Sequence, residues 1–375
     1  MLDSAEEQLS ALLEGTIAQL DIPPHLYRQA VDKYQRVAHY LGAGDENHLQ
    51  IYPQGSFRLG TVIRPTADSD YDIDLVLRVS ATKEQTTQAG LKEFAGQRLR
   101  DYVVSSGGAV GLEEGSRCWT LKWSGFHMDV LPALPDPVHL PTGILLTDRD
   151  LYYWQCSDPI GFANWFHGQM REQFIRRRAL LAQERAAQVD EVPAWEVKTT
   201  LQRAVQILKR HRDIYFAHRQ SLTPASILVT TIAGHAYGDH DYLFEAVMHI
   251  AMGMTQFIES RNGVKWVGNP VLPQENFADK WREHPERECA FFEWVAQLRR
   301  DLEETAGCRG LDNVVERLNA SFGPEVRRAA KSFGQQYRSG REGGKLTSAA
   351  ATGGLVMGSA RPAAAVRPHN FYGET

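Results

Sequence analysis

Two acidic residues separated by a single apolar residue, Asp72 and Asp74, begin a strongly apolar run, YDIDLVLRV. On a β-strand, alternate side chains point to the same face, so a strand here would present both carboxylates together and bury Ile73 and Leu75. Magnesium prefers oxygen ligands, and two magnesium ions held by carboxylates can stabilise the attacking and leaving oxygens of a phosphoryl transfer. The pattern therefore predicts a strand that supports metal-assisted phosphoryl chemistry.

A second metal site needs a third carboxylate, and Asp129, in the short apolar segment FHMDVLPAL, is the candidate. The segment is predicted to be a strand lying beside the first one. An Asp-x-Asp pair is also typical of a solvated strand edge, and Asp70 with Asp72 fits the same alternation. Asp72 and Asp74 are preferred because they adjoin the apolar run that fixes the strand, whereas Asp68 and Asp70 are interpreted as solvated loop acids.

A Gly-Ser pair, Gly55-Ser56, stands sixteen residues before Asp72 in YPQGSFRLGT. Glycine lets the backbone approach a phosphate closely, serine can donate from its hydroxyl, and a following helix start would direct free amides at the anion. A Gly-Ser pair alone carries no signal. Followed by two alternating acids and later by a third, it predicts a phosphate-binding turn.

The elements that would position these residues divide into two lobes. Helical spacing predicts a long helix over 24–41 and another over 83–102, and apolar alternation predicts strands from 51, from 71, over 118–123 and over 126–131. Helical patterns dominate after 159, over 195–215, 224–237, 242–258, 274–302 and 312–333. We predict a catalytic lobe at 1–158, a helical lobe at 159–336 and a flexible tail at 337–375. The polar stretch 183–193 is interpreted as a loop, with a continuous helix as the alternative.

The composition limits the range of functions. The net charge of −5 argues against a protein that coats long nucleic acid. The four cysteines are far apart with no C-x-x-C pair, which argues against a disulfide framework and a structural zinc site. An acidic N-terminus and the lack of a long apolar run predict a cytoplasmic protein with no membrane partner.

The chain resembles the bacterial cGAS/DncV-like nucleotidyltransferases (CD-NTases). The resemblance lies in PQGSFRLGTVIRP, YDIDLVL and MDVLPA for the catalytic lobe, and in RAVQILKRHRD and NPVLPQENFADKW for the helical lobe. More broadly, Gly-Ser followed by acid-apolar-acid-apolar is similar to the nucleotidyltransferase superfamily of the DNA polymerase beta type. The resemblance implies an α+β fold, with a polymerase-beta-like nucleotidyltransferase lobe containing a mixed sheet packed against a helical lobe that closes the nucleotide cleft.

The resemblance also implies an activity: a cyclic di- or oligonucleotide synthase that joins nucleoside triphosphates, ATP among them, releases pyrophosphate and makes a second messenger in antiphage defence. It implies two Mg²⁺ ions, with Mn²⁺ as an alternative. The implied catalytic residues and metal ligands are Asp72, Asp74 and Asp129. The implied nucleotide-binding residues are Gln54, Gly55, Ser56, Lys209 and Ser226.

Several of these residues have a simpler interpretation. Lys209 lies in a charge run, KRHR, and such runs usually form a solvated helix face. Ser226 could equally be a helix cap, and the asparagines Asn269 and Asn276 are typical turn residues. His127 is interpreted as a strand residue rather than a ligand.

Two other functions remain open at this stage. One is a transferase that modifies an RNA end, a small molecule or a protein, although the acidic pI and the lack of an RNA-binding motif argue against a polymer acceptor. The other is an inactive nucleotide-binding relative, which would most readily have lost the acids that are present here.

The terminal HNFYGET is predicted to be a docking peptide for a partner protein, with folding back of Phe371 and Tyr372 onto the helical lobe as the alternative. In some relatives a C-terminal glycine is conjugated to targets. Here Glu374 and Thr375 follow Gly373, so conjugation would need trimming or a different rule.

Overall fold

A computed structural model describes residues 4–43, 48–64, 70–107, 110–147, 154–185, 188–189, 192–342, 346–349, 355–357 and 363–365. The predictions for Asp68 and for the terminal HNFYGET fall outside these ranges.

The catalytic lobe is built on a mixed seven-stranded sheet with the order β1-β2-β5-β4-β3, extended by β6 beside β5 and β7 beside β6. The strands are β1 (Leu49–Gln54), β2 (Tyr71–Val79), β3 (Gly111–Glu114), β4 (Trp119–Trp123), β5 (Phe126–Pro135), β6 (Ile144–Leu146) and β7 (Gln155–Ser157). β2 and β5 run parallel and the other pairs antiparallel. The predicted strands and the mixed sheet are confirmed.

Two long helices cover this sheet, α2 (Pro24–Gly42) and α4 (Gln88–Ser105), and the short α3 (Gly55–Leu59) follows β1. Proline at the first position of α2 suits a helix start, because the missing amide would have no partner there. The Thr87 hydroxyl caps α4 by accepting from the Gly90 amide at 3.1 Å. One apolar core joins α2, α4 and the inner face of the sheet.

The helical lobe has its own core, in which α7 is central. Its helices are α1 (Ser4–Leu20), α5 (Pro159–Gly168), α6 (Arg171–Glu184), α7 (Thr200–Tyr215), α8 (Ser226–Ala236), α9 (Leu243–Gly253), α10 (Pro285–Gly307), α11 (Leu311–Phe322) and α12 (Glu325–Glu342). A small hairpin, β8 (Glu259–Arg261) and β9 (Val264–Trp266), adjoins them. α7 begins with a capping box in which Thr199 and Gln202 bond reciprocally.

The lobe boundaries differ from the sequence prediction in two places. α1 belongs to the helical lobe, because its leucines and Ile17 are buried in the core that contains α7 and α9. The predicted boundary at 336 falls inside α12, which continues to Glu342. Beyond it, β10 (Leu346–Ala349), β11 (Leu355–Met357) and β12 (Ala363–Ala365) form a three-stranded antiparallel sheet.

The predicted helices after 270 also needed correction. Residues 274–302 do not form one helix, since α10 begins only at Pro285 after irregular backbone, and residues 312–333 divide into α11 and α12 at Gly323. Gly323 has φ +92°, a conformation that glycine adopts without strain and that ends α11. No helix in the described ranges is long and apolar enough to span a membrane.

Candidate active site

The parallel pairing of β2 and β5 brings the predicted acids together. Asp74 pairs with Asp129 across the two strands, and Asp72 pairs with His127. Because the strands run in the same direction, the two acids occupy equivalent positions on one face. We call Asp72, Asp74 and Asp129 the carboxylate cluster.

The charge of Asp74 is held in an unfavourable environment. Burial, together with the negative charges of Asp129 and then Asp72, raises the pKa of its carboxyl from 3.8 to about 7, while Lys209 opposes the shift. Neighbouring carboxylates in a shielded position favour a bound cation, which would remove their mutual repulsion. The oxygen-only donor set suits magnesium.

Asp129 is oriented by its neighbour on β4. The Thr120 hydroxyl donates to Asp129 Oδ1 at 2.6 Å, and these two residues pair across the antiparallel β4–β5 ladder. Sequence reasoning missed Thr120. Because Thr120 alternates with Trp119 and Leu121 on a predicted strand, the sequence could have placed it on the polar face. The sequence could not have shown that it lies beside Asp129.

Asp72 lies at the outer end of the cluster. Its side chain is 77 % exposed, and His127 stands between it and Asp70, with Nδ1 3.7 Å from Asp72 Oδ1 and Nε2 3.2 Å from Asp70 Oδ2. In this arrangement the oxygens of the three acids do not all lie within 4.8 Å of one another. One ion bound by all three acids at once would therefore require a side chain of the cluster to move.

The Gly-Ser turn lies directly against the cluster. Gly55 has φ +60°, and a Cβ built on it would lie 2.4 Å from Asp74 Oδ2, so no larger residue fits without displacing that carboxylate. Gln54 pairs with Asp74 across β1 and β2. Ser56 is the second residue of α3. The turn predicted to bind phosphate therefore lies beside the predicted metal ligands.

Lys209 is not on a solvated helix face. Its side chain is buried, and its ammonium donates to the carbonyl and the hydroxyl of Thr61 at 3.2 and 3.3 Å. Burial lowers the pKa of this ammonium to about 7, assisted by Arg212. Lys209 does not contribute to the cleft lining described below, so contact with a triphosphate would require it to leave Thr61.

The charge run around Lys209 is buried as a whole. Arg210, His211 and Arg212 are each less than 9 % exposed. His211 Nε2 lies 3.0 Å from Asp301, and its Nδ1 accepts from Trp294. The solvated-face interpretation is wrong because all four residues of the run are buried.

Ser226 is the first residue of α8, not its cap. The capping position is Ala225, without a side-chain bond, and the Ser226 hydroxyl accepts from Arg212 at 2.9 Å. The cap interpretation is therefore wrong. Its predicted nucleotide-binding role would compete with Arg212.

The asparagines of NPVLPQENF do stabilise turns. Asn269 Oδ1 accepts from Val271, and Asn276 Oδ1 accepts from Val267 and Ala278. The turn interpretation is confirmed.

Between the lobes lies a cleft of about 1780 Å³. Gln54, Gly55 and Asp74 line one wall, and the segment from Arg261 to Arg287 contributes the opposite one. Sequence reasoning missed its basic residues, which are scattered along the chain. They are Arg58, Arg117, Arg261, Lys265, Lys280, Arg282 and Arg287.

The chain is similar in sequence to known nucleotidyltransferases. Residues 49–132 match the family described as "Cyclic GMP-AMP synthase DncV-like, nucleotidyltransferase domain". A c-di-GMP synthase of Roseivirga ehrenbergii is 26% identical over 96% of this chain and 97% of its own length. The cyclic dinucleotide synthase CdnG of Bradyrhizobium diazoefficiens is 27% identical, over 99% of this chain and 96% of its own length.

Solved structures share the fold. That of Bradyrhizobium diazoefficiens CdnG in complex with GTP has a TM-score of 0.70 at 24% identity, covering 88% of this chain and 100% of its own. Vibrio cholerae DncV, solved with the linear intermediate pppA(3′,5′)pG, has a TM-score of 0.56 at 16% identity, covering 87% and 88%. Residues 49–132, which match the DncV-like nucleotidyltransferase domain, contain the Gly-Ser turn and all three acids of the carboxylate cluster.

Proposed function

We propose that this protein is a cyclic dinucleotide synthase that joins two nucleoside triphosphates, with GTP as a substrate, and releases pyrophosphate. The observation that carries the proposal is the pairing of Asp74 with Asp129 at the cleft, with Gly55 packed against Asp74. The two curated relatives, which match nearly the whole chain, are a c-di-GMP synthase and a cyclic dinucleotide synthase. Their names support a dinucleotide product and favour guanine over the adenine expected from sequence.

Asp72, Asp74 and Asp129 are the proposed ligands of two magnesium ions. When bound, magnesium would stabilise negative charge on the attacking and leaving oxygens. The fit is supported by the carboxylate donor set and by the raised pKa of Asp74, whose charge has a repulsive environment in the protein alone. Thr120 would hold Asp129 in one orientation through its 2.6 Å bond.

The Gly-Ser turn would bind a phosphate beside these ligands. Because Gly55 has no side chain, a phosphate on the amides of the turn could approach Asp74 without obstruction. Arg58, on the next turn, lines the same cleft and donates to the Pro53 carbonyl at 3.3 Å, which holds its guanidinium near the turn. We assign phosphate binding to Gln54, Gly55 and Ser56.

The cleft is large enough for two substrates. At about 1780 Å³ it exceeds the roughly 300–1,000 Å³ typical of a site for one small molecule. Basic residues on the wall opposite the cluster, including Lys265 and Lys280, would offset the charge of a second triphosphate. Such a cleft suits joining two nucleotides better than transfer to a bulky polymer.

The product would serve as a second messenger, and we extend to this chain the role in antiphage signalling that the resemblance implies. Triphosphate contact by Lys209 and Ser226 remains part of the proposal, although each now bonds within the protein. A partner for the terminal HNFYGET also remains a prediction.

The decisive experiment incubates the purified protein with Mg²⁺ and labelled triphosphates, singly and mixed, with no other acceptor. We expect mass spectrometry to identify a cyclic dinucleotide containing guanine. Asp74→Asn should abolish it, whereas Asp101→Asn, at an exposed acid on α4, should not. Labelling only after an RNA or protein is added would refute the synthase and favour an acceptor transferase.

A further inference from the structure

A second cluster of potential metal ligands lies beyond the carboxylate cluster, where β5 ends. Asp136 follows the last residue of β5, His139 lies three residues on in the turn before β6, and Cys156 is the middle residue of β7. One ligand atom from each of these residues lies within 4.8 Å of the other two. In the part of the chain that the structure describes, no other group of three such side chains meets that distance.

The three groups are already arranged around one carboxylate. Asp136 is only 2% exposed. Its Oδ1 accepts from the Val138 amide at 2.9 Å, and its Oδ2 lies 2.7 Å from His139 Nδ1. The ligand atom of Cys156 lies within 4.8 Å of those of Asp136 and His139. The buried acid therefore has both the imidazole and the thiol beside it.

We propose that Asp136, His139 and Cys156 bind one zinc ion. A thiolate, an imidazole and a carboxylate are a ligand set that zinc accepts, whereas magnesium disfavours sulfur. Three protein ligands leave a fourth position for water on the side of the cleft, which Cys156 lines. The sequence argued against a structural zinc site because no two cysteines form a C-x-x-C pair. The set proposed here contains a single cysteine, so that argument does not apply to it.

Zinc binding changes the protonation of two of its ligands, and every proton is accounted for. Binding of Zn²⁺ releases the proton of the Cys156 thiol to solvent, so thiolate and carboxylate together neutralise the ion while the imidazole stays neutral. His139 keeps one proton but moves it from Nδ1 to Nε2, freeing Nδ1 to bind the metal.

The Asp136–His139 pair needs only a small adjustment. At zinc distances of about 2.0–2.3 Å, tetrahedral geometry sets the ligand atoms roughly 3.3–3.6 Å apart. The Asp136–His139 pair, now at 2.7 Å, must therefore separate by less than 1 Å.

Gln274 provides the group that would orient the ligating imidazole. Its side-chain nitrogen lies 2.9 Å from His139 Nε2. Rotating the amide by half a turn would present its oxygen to the Nε2 proton of the zinc-bound form, an arrangement that commonly fixes a ligating histidine. Because Gln274 belongs to the opposite wall of the cleft, the ion would tie that wall to the end of the catalytic sheet.

The test is a titration of the chelator-treated protein with Co²⁺ and Zn²⁺ in excess Mg²⁺, which keeps carboxylate sites occupied. One equivalent of Co²⁺ should give the near-ultraviolet band of a sulfur–cobalt bond, and Zn²⁺ should abolish it. Cys156→Ser should remove the band. Both Cys156→Ser and His139→Ala should weaken zinc binding by more than the roughly 10- to 100-fold typical of replacing a residue that contacts only a metal ligand. Gln274→Ala should fall within that range.

Two matched variants keep the test specific. Cys289→Ser removes an exposed thiol, and Cys118→Ser removes the thiol near Asp129; neither should alter the band or the zinc affinity. Circular dichroism would show that each variant is folded. A band that survives Cys156→Ser, or equal zinc affinity of the Cys156→Ser and Cys289→Ser proteins, would overturn the proposal.

Discussion

Replacement of Asp74 by asparagine should stabilise the metal-free protein while abolishing synthesis. The pKa of Asp74 is raised from 3.8 to about 7, which corresponds to roughly 4 kcal/mol at about 1.36 kcal/mol per pKa unit. This is the free energy by which ionised Asp74 destabilises the folded state at neutral pH. Relaxation and residual solvent contact reduce this value, so we expect about 2 kcal/mol at pH 8. For a chain of this size that is a rise in Tm of about 2–3 °C.

The pH dependence provides the sharper test. Between pH 3.8 and about 7, folded Asp74 keeps a proton that the unfolded chain has lost. The folded state therefore binds more protons, and the stability of the parent falls as the pH rises through this window. The Asp74→Asn protein has no carboxyl at this position to ionise. It should therefore be more stable than the parent at pH 8 and equally stable near pH 4.

Thermal unfolding in chelator at both pH values measures the effect, with Asp101→Asn as the exposed control. Added Mg²⁺ should raise the Tm of the parent more than that of Asp74→Asn, because the variant has lost a ligand. An advantage that is the same at pH 4 and pH 8, or no greater than that of the control, would refute the electrostatic reasoning.

Three further variants test the proposed active site. Thr120→Val should lower kcat about 10-fold by releasing Asp129, with recovery in Thr120→Ser, and equal rates for parent and valine variant would contradict the orienting role. Gly55→Ala should lower synthesis at least about 100-fold because its methyl group would displace Asp74; Gly42→Ala, which meets nothing within 4 Å, is the control in the same assay. Lys209→Ala should weaken binding of a nonhydrolysable triphosphate more than of a monophosphate in calorimetry, and equal losses for the two ligands would assign Lys209 to the lobe interface alone.

The strands of the site could be predicted from sequence, but their pairing could not. Alternation identified the strands carrying Asp72, Asp74 and Asp129 because a half-buried strand repeats every two residues. The pairing of Asp74 with Asp129 joins residues more than fifty positions apart, and no local pattern specifies that register. The family resemblance supplied the grouping that the periodicity could not.

Burial of polar residues was the main source of error. A run of four basic residues on α7 is usually solvated, so a solvated helix face was the simpler alternative to nucleotide binding for Lys209. The structure buries the whole run, since its partners come from other elements, such as Thr61 for Lys209 and Asp301 for His211. The cluster at Asp136 was missed for the same reason, because its three residues approach one another only when β5 and β7 join the same sheet.

The buried polar face of α7 determines where the phosphate turn lies. Four side chains, spaced at i, i+4, i+7 and i+8, donate to backbone carbonyls of the last residue of α3 and of the segment that connects α3 to β2. The bonds are Gln202 to Leu59 at 2.9 Å, Gln206 to Val62 at 2.7 Å, Lys209 to Thr61 at 3.2 Å and Arg210 to Arg64 at 3.4 Å.

This spacing is one face of a helix, so α7 holds the connecting segment along two full turns. Leu59 and Thr61 are buried, so separating their carbonyls from α7 would leave them without a partner away from water, which is costly. The Gly-Ser turn and Asp74 are therefore fixed to the helical lobe as well as to the sheet. Any change in the width of the cleft would consequently come from its other wall, the segment from Arg261 to Arg287, which the proposed zinc ion would join to the sheet through Gln274.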